Sequence, residues 1–353
     1  MRHTESLRSG LGMLGAIAAS NVMRLRHPLK ISFAVTWRCN LRCRMCNIWR
    51  KGEAGPELTP AEVDDFFRRS DGFRWVGLTG GEPFLRPDLP EIVDVVARCR
   101  GLDSIHVNTN GQLREPALRL LEHIRSRHPR LRPVLTVSLD GPPRVHDEIR
   151  GRQGAWDRAV ATFIAVKGIP GVKAQIGYTV SDHNLGRFTE GLDALREAWP
   201  GLRFDDINVN IFQTSSLYYG NQGMAPPDAA SVLREIDAIL LLDRDRFSVN
   251  NFLRRRYLRL YKRFLAVRRS PLRCQALSAT CFLDPTGDLY PCIVYRKTLA
   301  NVRGLEGGVR ELWNSAAARA LHWECSHHRC PACWSPCDAF SAIGGSLIRA
   351  ALS

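Results

Sequence analysis

Lysine is scarce in this chain: only 6 of its 50 basic residues are lysine, and the rest are arginine. Acidic residues number 35, so the formal charge is +15. A GC-rich genome is one source of such a bias. An anionic partner is the other: a phosphorylated substrate, an acidic peptide, a lipid surface or nucleic acid. Charge alone does not choose among them, but no nucleic-acid-binding motif is present, so nucleic acid is not expected. Long apolar runs are also missing, and none approaches the length of a membrane-spanning helix. Internal repeats and low-complexity segments are absent too, which excludes solenoids and fibrous arrays. With 44% hydrophobic and 24% charged residues, global disorder is excluded. A length of 353 residues suits one large domain plus a smaller one.

Cysteine, by contrast, is abundant, with eleven residues. Disulfide frameworks belong to small secreted chains. Here ten of the eleven fall into two groups, which favours metal binding. The exception, Cys99, shares a helical face with Ile92, Val95 and Val96 and reads as core.

At the N-terminus, Leu7, Leu11, Leu14, Ile17, Ala18, Val22 and Leu25 recur at helical spacing. Ala16-Ile17-Ala18 has the small-residue pattern of a signal-peptidase site, but polar and basic residues follow directly. The reading is a retained amphipathic helix over 1–29, packed on the barrel or lying on a membrane surface.

From Lys30 to about Gln213, short β-type runs alternate with helical patterns. The expected strands are Ile31–Thr36, Trp75–Thr79, Ser104–Asn108, Val134–Leu139, Lys173–Val180 and Ile207–Phe212. Six strands with helical crossovers imply a parallel α/β sheet, wholly or partly closed. Each strand pairs an apolar face with a polar one, as in His106 and Asn108 against Ile105 and Val107. A closed eight-stranded barrel fills its interior with branched apolar side chains. A polar inner face therefore implies a wider or incomplete barrel around polar ligands. The divisions expected are 1–29, a barrel over 30–220, connecting helices over 221–270, and a cysteine-rich unit over 271–353. The helix Leu253–Val267 carries Arg254, Arg255, Arg256, Arg259, Lys262 and Arg263 and reads as a solvated connector.

Cys39-Asn-Leu-Arg-Cys43-Arg-Met-Cys46 follows the first strand. A cubane cluster normally takes four thiolates, so a triad leaves one iron for another ligand. Structural zinc is the alternative, although zinc sites usually pair their cysteines as CxxC. The end of a barrel strand is also where barrel enzymes keep their active sites. This CxxxCxxC segment closely resembles the signature of the radical S-adenosylmethionine (radical SAM) superfamily. One position departs, Met45 standing where an aromatic residue is common; a thioether still packs against an adenine ring.

The resemblance implies a partial (β/α)6 TIM-like barrel, with Cys39, Cys43 and Cys46 holding a [4Fe–4S] cluster and S-adenosylmethionine beside it. Gly80-Gly81-Glu82-Pro83 matches the family's GGE segment, which implies contact with the methionyl amine. Asn110 ends the third strand. Ser138 and Asp140 point the same way and suit ribose hydroxyls, and Arg150 suits the methionyl carboxylate as a bidentate fork. Thr179 matches the fifth-strand position near adenine.

Cys274, Gly287 and Cys292 resemble the opening of SPASM and Twitch domains, which carry auxiliary iron–sulfur clusters. The expected ligands of one auxiliary [4Fe–4S] cluster are Cys274, Cys292, Cys330 and Cys333, with Cys337 and Cys281 as substitutes. Seven cysteines also suffice for two clusters, and a structural zinc is the remaining alternative.

The function expected is reductive cleavage of S-adenosylmethionine to a 5′-deoxyadenosyl radical, followed by hydrogen abstraction from substrate. A non-catalytic iron–sulfur carrier or scaffold is the competing class, but it has no use for residues in cosubstrate-binding positions. The substrate stays open between a peptide or protein side chain and a small, phosphorylated or lipid-linked molecule. Asn208 and Asn210 on the inner wall are candidate substrate contacts, with Tyr218 and Tyr219 nearby. A reductant such as flavodoxin or ferredoxin and a cytoplasmic location, with peripheral membrane contact through the N-terminal helix, complete the expectation.

Overall fold

The structure, a computed structural model, describes residues 15–52, 55–243 and 248–352, with side chains up to 346. The barrel strands are β1 (Lys30–Thr36), β2 (Trp75–Gly80), β3 (Ser104–Thr109), β4 (Arg132–Ser138), β5 (Lys173–Val180) and β6 (Ile207–Ile211). Five parallel ladders join them in chain order. Helical segment α1 covers residues 15–20. The crossovers are α2 (Pro60–Arg68), α3 (Leu89–Val96), α4 (Arg114–Arg127), α5 (Pro143–Arg150), α6 (Ala155–Lys167) and α7 (Phe188–Ala198). Local chemistry sets these boundaries. Thr59 and Glu62 form a capping box at the start of α2, and Gly151 ends α5 in the left-handed region.

The strand faces divide as their period of two dictates. Ile31, Phe33, Val35, Val76, Leu78, Ile105, Val107, Leu135, Val137, Ile176, Val180, Ile207, Val209 and Ile211 are buried in the core between sheet and helices. Asn208 and Asn210 alternate with them and are only half-buried, which puts them on the opposite, inner face. The sheet stays open at β6, so the architecture is a partial TIM-like barrel.

The cysteine-rich unit continues the same sheet. Strand β7 (Thr280–Leu283) pairs in parallel with β1, and the antiparallel strands β8 (Asp288–Tyr290) and β9 (Ala300–Asn301) complete a nine-stranded sheet. This covers a β1 edge that would otherwise present unpaired backbone groups. The turn from β7 to β8 is built by Asp284, whose Oδ1 accepts from the backbone N–H groups of Thr286 and Asp288 at 2.9 Å each. The remaining helices are α8 (Ala229–Leu242), α9 (Val249–Val267), α10 (Gly308–Trp313), α11 (Ala316–Ser326) and α12 (Pro336–Leu352).

Two expectations change. Leu7, Leu11 and Leu14 lie outside the described residues, but the segment after them docks on the C-terminal unit. Asn21 Nδ2 donates to the Ser341 carbonyl at 3.3 Å, Leu25 N–H to that of Ser278 at 2.9 Å, and Trp313 Nε1 to that of Leu25 at 2.9 Å. Arg24 lies over the Trp313 ring at 4.9 Å. The N-terminal stretch is thus fastened to α10 and α12. Helix α9 is not simply a solvated connector either. Arg254 is fully buried, paired with Asp243 at 2.8 Å and donating to the carbonyls of Phe204 and Ile207 at 2.8 Å. A guanidinium satisfied on this many sides ties α9 to the start of β6.

Candidate active site

The loop after β1 is held from three directions. Buried Trp37 and Leu41 anchor it. From α5, the Ile149 carbonyl accepts the Arg44 N–H at 2.8 Å. From the loop after β6, the Tyr219 carbonyl accepts the Asn47 N–H at 2.9 Å, and Asn221 Nδ2 donates to the Met45 carbonyl at 3.1 Å. Asn40 Oδ1 accepts from Asn110 Nδ2 at 2.7 Å, which ties the loop to the end of β3. Cys43 is buried, and Cys39 and Cys46 are half-buried. Burial pushes the Cys39 thiol up to about 11 and the Cys46 thiol up to about 12, with the neighbouring thiols adding to the shift. Filling such a site with metal therefore releases protons.

Gly80 and Gly81 answer to backbone crowding. A Cβ on Gly81 would stand 2.0 Å from the Arg38 carbonyl oxygen, and one on Gly80 would stand 2.1 Å from that of Thr36. The N–H groups of Gly81 and Glu82 donate to those same carbonyls, Thr36 and Arg38, at 2.8 Å each. The glycines thus let the end of β2 lie against the cysteine loop. Glu82 is fully buried and gathers neighbouring strand ends. Its carboxylate accepts from Thr109 Oγ1 at 2.9 Å, from Asn110 N–H at 2.8 Å and from Phe84 N–H at 3.3 Å. Burial nonetheless raises its pKa to about 7, because desolvation outweighs those bonds. Pro83 is buried at the start of the following turn.

Arg150 and Asp140 form a buried ion pair beside the triad. The Asp140 carboxylate accepts from Arg150 and, at 2.9 Å, from Thr179 N–H, so it is committed to protein partners. Arg150 Nη1 lies 3.8 Å from Cys43 Sγ, and its Nε has no protein partner. The guanidinium therefore divides its fork between Asp140 and a cysteine sulfur. Asn184 closes the same corner, donating to the carbonyls of Asp140 at 2.9 Å and Thr179 at 2.8 Å. Ser138 is half-buried at the end of β4.

In the C-terminal unit, Cys274, Cys292, Cys330 and Cys333 lie close enough for each to feel others of the set electrostatically. Cys325, on α11, joins them: its thiol lies against the Cys330 sulfur and favours the Cys330 thiolate. Cys281 is not brought to this group. It packs in the sheet–helix core, with its sulfur 4.0 Å from the Lys30 carbonyl oxygen. Cys337 shares an apolar wall with Cys292 and Cys333 as well as with two cysteines of the N-terminal triad, Cys39 and Cys46. That wall includes Ala34, Trp37, Tyr218, Phe282 and Tyr290.

The donor set discriminates between metals. Thiolates on one tetrahedral zinc, at Zn–S of about 2.3 Å, lie roughly 3.8 Å apart. Among the described residues, the group with three ligand atoms within 4.8 Å of one another is Asp94, His123 and His128, and it contains no cysteine. Both cysteine groups are spread too widely for a single ion, which suits ligands on separate irons of a cluster.

Residues 34–195 match the radical SAM superfamily, and residues 274–338 match the SPASM iron–sulfur cluster-binding domain. The chain carries a radical SAM domain followed by a SPASM domain. Its radical SAM domain carries the site for a [4Fe–4S] cluster and S-adenosylmethionine, and its SPASM domain that for an auxiliary cluster. It is similar to the subtilosin biosynthesis protein AlbA of Bacillus subtilis, at 30% identity over 48% of this chain and 37% of AlbA. It is also similar to the mycofactocin maturase MftC of Mycobacterium tuberculosis, at 25% identity over 87% of this chain and 75% of MftC. The matched segments span 33–40% of the first three curated relatives. SuiB of Streptococcus suis, solved with S-adenosylmethionine, shares the fold with a TM-score of 0.61 at 16% identity, over 91% of this chain and 73% of SuiB.

The inner wall and the tyrosines complete the site. Asn208 Oδ1 is a buried acceptor without a protein partner, whereas Asn210 Oδ1 accepts from Ile211 N–H at 2.9 Å. Tyr218 is buried, and its hydroxyl bridges Thr79 Oγ1 at 2.5 Å and the Gly80 carbonyl at 3.1 Å. It latches the loop after β6 onto the GGE segment. Tyr219 packs edge-on against it at 4.8 Å.

Proposed function

We propose that this chain is a radical SAM enzyme that modifies a side chain of a peptide or protein. The observation that carries the chemistry is the convergence of Cys39, Cys43 and Cys46 with Arg150, Glu82 and Asn110 at the open ends of four parallel strands. Cys39, Cys43 and Cys46 would hold the cluster that, with S-adenosylmethionine bound, supplies a 5′-deoxyadenosyl radical. The protein's part is orientation and exclusion of water. Glu82 and Asn110 fix the ends of β2 and β3 around the cosubstrate. Arg150 presents positive charge beside Cys43. The apolar wall around Trp37 and Tyr218 keeps solvent from the cysteines. Asn208, with an unpaired acceptor on the inner face, is placed to bind substrate, and Asn210 shares that face. Cys274, Cys292, Cys330 and Cys333, with Cys325 beside them, would hold the auxiliary cluster.

The peptide reading rests on relatives. MftC is a maturase aligned over most of this chain, and SuiB has been solved with its precursor peptide SuiA. An arginine-rich chain of charge +15 suits an acidic peptide. The cytoplasm, with a flavodoxin or ferredoxin as reductant, is the proposed setting, since free thiols persist there.

The test is anaerobic reconstitution with dithionite and S-adenosylmethionine, following 5′-deoxyadenosine by mass spectrometry. The wild type should form it, and an acidic peptide substrate should accelerate it while gaining a mass change. Loaded clusters without any cleavage would make the chain an iron–sulfur carrier and end the proposal.

A further inference from the structure

A second metal-binding geometry lies on the helical shell, apart from both cysteine groups. Asp94 is in the last turn of α3, His123 is in the second half of α4, and His128 is the residue that caps α4. Both imidazole Nε2 atoms converge on one oxygen: His123 Nε2 lies 2.8 Å and His128 Nε2 2.6 Å from Asp94 Oδ1. All three ligand atoms fall within 4.8 Å of one another. The rings stand 6.4 Å apart and inclined at 68°, so they approach the carboxylate from different directions. The three side chains are 19–25% exposed, which gives an ion access and leaves room for a water ligand.

We propose that Asp94, His123 and His128 form a binding site for a divalent transition ion of the zinc class. Imidazole and carboxylate are the donors such ions take, with nitrogen and oxygen at about 2.0–2.2 Å. Donors on a tetrahedral ion at those lengths sit roughly 3.4 Å apart, so each imidazole must withdraw from the carboxylate oxygen by about 0.6–0.8 Å. Neutral imidazole carries its proton on either ring nitrogen. When the site is filled, each ring keeps its proton on Nδ1 and turns its Nε2 lone pair toward the ion. Arg127 is the competing cation, with its guanidinium 3.6 Å from Asp94 Oδ2. A doubly charged ion held by three donors outcompetes a single exposed guanidinium.

The position assigns a structural role. The ends of α3 and α4 that carry the ligands precede β3 and β4, so the site lies at the rim opposite the cysteine loop. An ion there would cross-link two neighbouring crossover helices at the stabilising end of the barrel.

The experiment uses reconstituted holoenzyme dialysed against Zn2+ with a weak competing chelator, then analysed for zinc and iron. Wild type should hold one zinc per chain more than His123→Ala/His128→Ala, with equal iron in both. Arg127→Gln should tighten zinc binding about threefold or more. X-ray absorption at the zinc edge, which needs no variant, should give a nitrogen and oxygen shell. Equal zinc in wild type and double variant, zinc gained only as iron is lost, or a sulfur shell would overturn the assignment.

Discussion

Removing the Asp140 carboxylate tests how the cysteine loop is braced. Asp140→Ala strands the Arg150 guanidinium, which lies with Asp140 in a buried ion pair, and orphans the Thr179 N–H now bonded at 2.9 Å. Breaking one side of a buried pair costs about 3–5 kcal/mol, because the remaining charge stays uncompensated. A chain of 353 residues has an unfolding entropy of about 0.7 kcal/mol per kelvin, so the melting midpoint should fall by about 4–7 °C. Removing both charges together is far less harmful. Arg150→Met should therefore recover most of the loss in the Asp140→Ala background, though on its own it destabilises the wild type. The assay is an anaerobic melt of the four proteins without S-adenosylmethionine, which separates the brace from any role of Arg150 toward ligand. Additive losses in the double variant would refute the coupling.

Three further outcomes are expected. Gly81→Ala drives a Cβ to 2.0 Å from the Arg38 carbonyl oxygen, so iron analysis should find the N-terminal cluster largely lost while the auxiliary one is retained. Replacing Cys39, Cys43 and Cys46 together by alanine should reduce about eight irons per chain to about four and abolish 5′-deoxyadenosine formation. Zinc without residual cluster in that variant would overturn the auxiliary assignment. Burial, aided by Lys30 and Lys173, lowers the His106 pKa from 6.5 to about 3. Between those values the unfolded chain binds a proton that the folded chain excludes, so stability falls as pH falls through that window. Urea midpoints at pH 7 and pH 5 should drop less for His106→Gln than for wild type.

The barrel was legible because its strands carry a strict period of two and its crossovers are helical. Each of the six expected strands lies within three residues of the observed one at either end. The pairing of β7 with β1 was not legible. It joins segments some 250 residues apart, and no local pattern encodes which open edge a short strand will cover. Arg254 misled for a related reason. In sequence it is one of a basic run, and only the fold supplies Asp243 and two carbonyls around it.

At the site, spacing identified residues that the fold brings together, but it did not reveal what each one touches. Gly80, Gly81 and Glu82 were read as ligand-facing, yet much of their demand comes from the neighbouring strand ends. Cys325 was passed over because CxxC pairs draw the eye, while four intervening residues after a helix end also bring a thiol back to Cys330. Cys281 carried a usable signal of the opposite kind. On β7 it alternates with Phe282 and stands opposite Ile31, while Leu283 stands opposite Phe33. A residue in register with the core-facing positions of β1 must itself face the core. Phe282, one position on, instead joins the apolar wall with Trp37 and Tyr218 that the cysteine groups share. The pleat of one strand therefore sends Cys281 toward the helices, away from the proposed ligands, which lie on the loops and on α11.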